Sequence, residues 1–290
     1  MTTLDSIPCQ LQSLSKAFGS NAVLRGIDMT LYGGKVTVLM GANGAGKSTL
    51  VNVLSGVHKA DHGLMTLFGR TYSPQSPSDA IQQGVVTVHQ SINDAVLPHL
   101  DVATNLALDQ LSQSRAGFFI NRRKMRDNAR KIAASMKLDV DVTAPVHTLG
   151  LADKQMIAIA RAMAEKPKIL ILDEPTSSLS SNEAGRLFDL IDRLKTTGVA
   201  ILYISHRMSD IRRIADRIVA LRDGQVSGTF DSTTLDYRAA VKAMLGHDMT
   251  DIKIDPAKPG RTTLALRGLT IKPQAEPLHL SVAENEVVAI

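Results

Sequence analysis

Tryptophan is absent from this chain of 290 residues, aromatic residues make up 3% of it, and cysteine occurs once. Each scarcity excludes something. So few aromatic rings leave no platform on which the bases of a single-stranded nucleic acid could stack in succession. A lone Cys9 cannot build a disulfide framework, and it predicts a reducing, intracellular setting. No apolar run approaches the ~18 residues that a membrane-spanning helix requires. The opening MTTLDSIPCQ has neither the basic nor the apolar region of a secretory signal. A soluble, intracellular chain is therefore expected, free to dock on a membrane protein. The net charge of +5 is spread along the sequence rather than clustered. It reads mostly as solvated surface, with a nucleic-acid footprint as the lesser reading.

What is present starts with Gly41, Ala42, Asn43, Gly44, Ala45, Gly46, Lys47, Ser48 and Thr49, which fit G-x-x-x-x-G-K-[ST]. The apolar run Val36 to Met40 precedes the motif as a strand, and Thr49 to Leu54 follows it as a helix. That strand–loop–helix context is what a phosphate-binding loop requires. Glycines let the backbone aim its N–H groups at a phosphate, and the helix N-terminus adds partial positive charge. In such a loop Lys47 reaches the β- and γ-phosphates and Ser48 holds Mg²⁺. The ligand implied is a nucleoside triphosphate, ATP in the reading developed below.

Short strands are expected at Gln10 to Leu14 and Ile27 to Leu31, and a further apolar run at Val85 to His89. Residues 100–147 read as helical, with Arg122, Arg123 and Lys124 as a solvated face. Ile157, Ile159, Ala160 and Met163 belong to a helix that stops before Pro167. Ile169 to Leu172 and Val199 to Ile204 are continuous apolar runs, the pattern of strands buried on both faces. Between them Ser180 and Glu183 form a capping-box signal for a helix carrying Leu187, Leu190, Ile191 and Leu194. A helix through Ile211 to Ala215 and a hairpin turn at Asp223-Gly224 follow. Strands alternating with helices predict an α/β fold around a largely parallel sheet.

The strand Ile169 to Leu172 runs into two carboxylates, Asp173 and Glu174. Open α/β sheets place ligands at such strand ends. Asp173 is expected to orient Mg²⁺. Strand alternation turns Glu174 the other way, toward an attacking water for which it would be the general base.

With these motifs in order, the chain resembles the ATP-binding cassette ATPases over residues 10–246. Val88-His89-Gln90 looks like the Q-loop, so the resemblance implies that Gln90 touches Mg²⁺ and water. Leu149, Gly150, Leu151, Ala152 and Asp153 stand where the family signature and its helix belong. Ser177-Ser178-Leu179 stands at the D-loop, and Ile204 to Met208 carries the switch histidine, His206, expected at the γ-phosphate. Phe18 lies where the family stacks an aromatic on adenine. The implied fold is a P-loop NTPase, RecA-like core with an antiparallel N-terminal β subdomain and an inserted helical subdomain at about 91–165. The wording of DEPTSSLSSNE and of residues 198–229 resembles, more narrowly, the first cassette of fused double-cassette importer ATPases of the ribose, galactose and xylose type.

That resemblance implies an ATPase that energises a carbohydrate importer from the cytoplasmic face of the membrane. Its partners would be permease subunits, met near Ser91 to Asn105, a second cassette in cis or a second copy, and indirectly a solute-binding protein. No nucleic-acid partner is expected. A soluble cassette acting on nucleic acid or the ribosome, and a non-hydrolytic regulatory subunit, are the alternatives. Residues 247–262, polar with Pro256 and Pro259, read as a linker. Beyond it, Leu266 to Ile271 echoes Leu11 to Lys16, and Leu278 to Ile290 echoes Ile27 to Leu39. A second cassette is thus expected to begin at 263 and be cut off at 290. The signature departs from the family in having Gly150 for serine and Ala152 for the second glycine. Gly150 has no side chain to donate to the γ-phosphate held by the opposite cassette, so two unequal sites are expected.

Overall fold

The computed structural model describes residues 8–89, 96–136 apart from 113–120, 138–231, 235–246, 260–270, 276–284 and 286, with side chains of the second stretch described for 96–108 and 121–136. Two compact units divide the chain, Met1–Asp248 and Met249–Ile290.

In the first unit the elements run β1 (Cys9–Phe18), β2 (Asn21–Leu31), β3 (Val36–Gly41), α1 (Lys47–Leu54), β4 (His62–Leu67), β5 (Arg70–Thr71), α2 (Pro77–Gln83) and β6 (Val85–Val88). There follow α3 (Val102–Ser112), α4 (Arg122–Ser135), α5 (Leu151–Ala164), β7 (Ile169–Asp173), α6 (Ser181–Thr196), β8 (Ala200–Ile204), α7 (Met208–Ile214), β9 (Arg217–Arg222), β10 (Gln225–Asp231) and α8 (Tyr237–Leu245). A six-stranded sheet has the order β10-β9-β3-β8-β7-β6, parallel from β9 through β6, with β10 antiparallel at its edge. A four-stranded antiparallel sheet, β2-β1-β4-β5, stands beside it.

The continuous apolar strands are buried on both faces, as crossover helices require. Val36, Val38, Met40, Leu170 and Leu172 join a core shared with α5 and α6. Their alternates Leu39, Ile169 and Ile171 join a second core with α1 and the antiparallel sheet. The capping box at the start of α6 is present: Ser180 N donates to Glu183 Oε2 at 2.7 Å and Ser180 Oγ accepts from Glu183 N. The α3 helix packs against α4 and α5.

The helical expectation for residues 100–147 fails over Leu138–Pro145, where no helix forms. Asp141 instead folds a local turn by accepting from Thr143 N at 2.8 Å. The carbonyls of Val142 and Ala144 then accept from Ala103 N and Val102 N, at 2.9 and 3.1 Å, supplying partners to the first turn of α3. Gln90, part of the expected permease segment (91–95) and most of the expected linker (247–259) lie outside the described residues.

In the second unit β11 (Thr262–Leu269) pairs antiparallel with β12 (Leu278–Ala283). The pairs Leu264↔Val282, Ala265↔Ser281, Leu266↔Leu280 and Leu269↔Leu278 repeat the register Cys9↔Leu31, Gln10↔Thr30, Leu11↔Met29 and Leu14↔Ile27 of β1 and β2. Both hairpins shift register at the same place, where Ser13 (φ 49°) and Gly268 (φ 69°) take left-handed conformations. Cys9 and Leu14 are buried, whereas their counterparts Leu264 and Leu269 are about half exposed; Leu266, the counterpart of buried Leu11, is half-buried.

Candidate functional site

Strand β3 is central in the six-stranded sheet, β8 lies next to it and β7 beyond, so the C-terminal ends of all three fall on one edge. That edge is where open parallel sheets hold ligands. Each of the three strands delivers one part of the site.

From β3 comes the glycine loop. A Cβ on Gly41 would lie 2.7 Å from Leu221 O, so the strand can pass so close to β9 only with glycine there. Gly46, at φ 105°, is the N-cap of α1, and a Cβ on it would meet Leu24 Cδ2 at 2.9 Å and Val23 O at 3.1 Å. The turn between β9 and β10 braces the loop from behind, with Gly224 N donating to Ala45 O at 3.2 Å and Arg25 N donating to Gly224 O at 2.8 Å. Ala42, Asn43, Gly44 and Ser48 face solvent, while Ala45 and Gly46 are buried and Lys47 and Thr49 half-buried. Lys47 Nζ folds back over this cradle and donates to Gly41 O at 2.7 Å and Ala42 O at 3.0 Å.

From β7 come the carboxylates. Burial holds the Asp173 carboxyl above its ordinary value; Glu174 beside it pushes the same way, and His89 and Lys47 pull back. Burial likewise lowers Lys47, and the Glu174 and Asp173 charges oppose that fall. Both acids therefore act on the lysine of the loop. Here the structure corrects the strand-alternation argument. β7 ends at Asp173, and Glu174 takes φ 46°, a left-handed conformation costly for a glutamate. Its direction is set by that turn, held by Glu174 N donating to Ile204 O at 3.0 Å, and not by pleat.

From β8 comes His206, whose exposed ring places Nδ1 3.1 Å from Glu174 Oε1. Behind this pair, sequence reasoning missed a buried set of polar side chains. Thr176 Oγ1 donates to Asp210 Oδ2 in a short hydrogen bond, Tyr203 OH lies 3.3 Å from the same oxygen, and Arg207 Nη1 donates to Thr176 O at 2.7 Å. The only signal was the tyrosine interrupting an otherwise apolar buried strand.

Phe18 ends β1 and is 44% exposed. The His58 ring meets its edge with centroids 5.1 Å apart, and Lys16 Nζ lies 5.5 Å from its centroid. Asp61 fixes this strand end, pairing with Lys16 Nζ at 2.8 Å and accepting from Ala17 N at 2.7 Å. The following strand, β2, supplies the Val23 and Leu24 atoms packed on Gly46, which ties the Phe18 hairpin to the phosphate loop. Lys16, His58 and Asp61 were not legible, because no motif contains them.

Leu149 and Gly150 lead into α5, with Gly150 as N-cap and no side-chain cap bond. Leu151 is about half exposed, Ala152 is buried and Asp153 lies in the first turn. The structure thus brings Lys47, Asp173, Glu174 and His206 together; the described contacts do not join the signature segment to them.

Comparisons with known proteins bear on the family and the fold. The protein-family model described as ABC transporter matches residues 24–177. A ribose import ATP-binding protein of Escherichia coli O157:H7 is 36% identical over 97% of this chain and 55% of its own length. Its namesake in Bacillus subtilis strain 168 is 34% identical over 97% of this chain and 57% of its own length. The chain thus spans little more than half the length of these relatives. Among solved structures, the cassette MJ1267 of an ABC transporter in its ADP conformation superposes with a TM-score of 0.72 at 23% identity, covering 83% of this chain and 99% of that one. The cbiO1 protein from Clostridium perfringens gives 0.70 at 20% identity, covering 82% and 93%. These two likenesses are of fold.

Proposed function

Because this chain belongs to the ABC transporter family, whose model matches more than half of it, we propose that it is an ATP-hydrolysing cassette that drives import of a sugar or sugar-like solute. The observation that carries the reading is the meeting, at one sheet edge, of Lys47 in its glycine loop with Asp173, Glu174 and the His206 ring on Glu174. The solute class rests on the relatives named for ribose import.

In this reading the backbone N–H groups from Ala42 to Thr49 and the start of α1 cradle the phosphates of ATP. Lys47 exchanges two carbonyl acceptors for charged phosphate oxygens. Phe18 stacks the adenine, on a strand end held by Asp61. Ser48 and Asp173 offer hard oxygen donors, one neutral and one anionic, a set that fits Mg²⁺, which keeps its other positions for phosphate and water; Gln90 is the expected third donor. Mg²⁺ would neutralise charge developing between the β- and γ-phosphates. Glu174 takes the proton from the attacking water, and His206 holds Glu174 on one side while meeting the γ-phosphate on the other.

The whole assembly is also part of the proposal: two cassettes that close on two nucleotides, and permease subunits met near Ser91–Asn105, on the cytoplasmic face of the membrane. The repeated register of β11 and β12 supports a second cassette beginning at 263, after a linker from 247. Apolar positions buried in the first hairpin, Cys9 and Leu14, have exposed counterparts in the second, Leu264 and Leu269, which call for a core that residues of a further cassette would supply. The test is ATP hydrolysis by the full protein with its permease in lipid vesicles, read with and without solute-binding protein and a panel of sugars. Hydrolysis stimulated by one loaded binding protein is expected. Binding to RNA that weakens steeply with salt, without a permease effect, would replace this reading with a nucleic-acid one.

A further inference from the structure

Among the described residues only seven buried side chains, tyrosines aside, are polar or charged, and Thr176, Ser205 and Asp210 are three of them, grouped behind the Glu174–His206 pair. Buried polar groups are costly unless they are hydrogen-bonded. Here Thr176 and Asp210 are bonded to each other, joining the turn after β7 to the start of α7, and Ser205 is bonded to the Arg207 backbone. Asp210 Oδ2 accepts from Thr176 Oγ1 and, at 3.3 Å, from Tyr203 OH; Oδ1 accepts from Ser209 Oγ at 3.1 Å and lies 4.0 Å from Arg207 Nε. Arg207 Nη1 grips the Thr176 carbonyl at 2.7 Å, and Arg207 N donates to Ser205 Oγ at 3.0 Å.

Thr176 follows Glu174 by one proline, and Arg207 is the next residue after His206. The segment after β8 therefore holds Thr176 by both its side chain and its carbonyl. The contact at the reaction centre, His206 Nδ1 to Glu174 Oε1 at 3.1 Å, joins an exposed ring to a carboxylate that is mostly buried. We propose that Asp210 is a positioning residue for hydrolysis: through Thr176 and Arg207 it fixes the His206 loop in one register against the Glu174 loop. This rests on the proposed ATPase reading. It predicts an effect on turnover and not on nucleotide binding, because none of the network belongs to the phosphate cradle.

The test uses Thr176→Val, Thr176→Ser, Asp210→Ala and the double variant Thr176→Val/Asp210→Ala in the assembled transporter. Valine keeps the shape of threonine and removes its donor; serine keeps the donor. Thr176→Val and Asp210→Ala should each lower kcat about ten- to a hundred-fold, as small misplacements of reacting groups do, with the KM for ATP within about twofold. Thr176→Ser should retain most of the turnover, and the double variant should lose no more than the worse single one, since both cut one link. A Thr176→Val kcat near that of the parent, or a Thr176→Ser loss equal to it, overturns the proposal. A second readout needs no activity: in the ¹⁵N-histidine-labelled chain the His206 Nδ1 resonance should move in Thr176→Val and stay in Thr176→Ser. An unmoved resonance in Thr176→Val overturns the proposal. If the unsubstituted assembly hydrolyses no ATP, the ATPase reading falls, and the resonance alone decides this one.

Discussion

Single side chains divide the labour at the sheet edge, and they can be separated by substitution. Glu174→Gln keeps the size and loses the proton acceptor; it should bind ATP as before and lower kcat by about a hundred-fold or more, read by nucleotide binding alongside steady-state hydrolysis. A Gln variant that turns over normally would remove Glu174 from the base role. Cys9 offers a different check. It is buried, and burial pushes its thiol from 9.0 up to about 12. Near pH 8 the native thiol should therefore react with a thiol reagent only as fast as the chain opens, and at once in denaturant; a fast native reaction would contradict its place in the core. The linkage has a sign. A folded value above the unfolded one gives stability that is whole below pH 9.0 and lost as pH climbs toward about 12, so the melting temperature should decline across that window. At this scale the sequence disclosed what a local motif encodes: Lys47, Ser48, Asp173 and the acid after it. It could not disclose the left-handed turn at Glu174, which Ile204 O secures from another strand. Nor could it disclose Asp210, whose partners Thr176 and Tyr203 arrive only when β7 and β8 pair.

Elements follow the same division between local and distant causes. The strands β3, β7 and β8 and the capped helix α6 were legible because period, burial on two faces and caps are written in neighbouring residues. The stretch Leu138–Pro145 was not, because its carbonyls serve a helix that begins at Val102. The helix α1, which carries Lys47, has a further distant support. Tyr72 is buried and its hydroxyl donates to Leu54 O at 2.6 Å, the last carbonyl of the helix. Tyr72→Phe keeps the ring and orphans that buried carbonyl. A loss of about 1–3 kcal/mol is expected, seen as a lower denaturation midpoint with an unchanged slope. At the other end of α1, Gly46→Ala must push aside Leu24 and the Val23 carbonyl while holding φ at 105°. It should abolish ATP binding yet leave the far-ultraviolet spectrum of the chain intact, which separates a damaged loop from a damaged fold.

For the whole molecule, asymmetry between sites is the consequence that reaches furthest. In the proposed assembly the Lys47 site is completed by the other cassette's signature, and the segment from Leu149 to Asp153 serves the other cassette's nucleotide. That segment presents Gly150 at the N-cap of α5, where the only donors left are backbone N–H groups. A missing charge-assisted hydrogen bond is worth about 1.5–3 kcal/mol, which makes the opposite site slower by roughly ten- to a hundred-fold. Space is not the obstacle, because a Cβ on Gly150 would find its nearest neighbour, Asp153 Oδ2, 3.9 Å away. Two outcomes follow for the assembled transporter. Glu174→Gln should remove most ATP hydrolysis, while the equivalent change in the second cassette removes little; equal losses would sink the idea of unequal sites. Adding Gly150→Ser to Glu174→Gln should then raise the residual hydrolysis about tenfold, because the serine reaches only the site that Glu174 does not serve. Residual hydrolysis unchanged by the serine would assign the slow site's weakness to the second cassette itself rather than to Gly150.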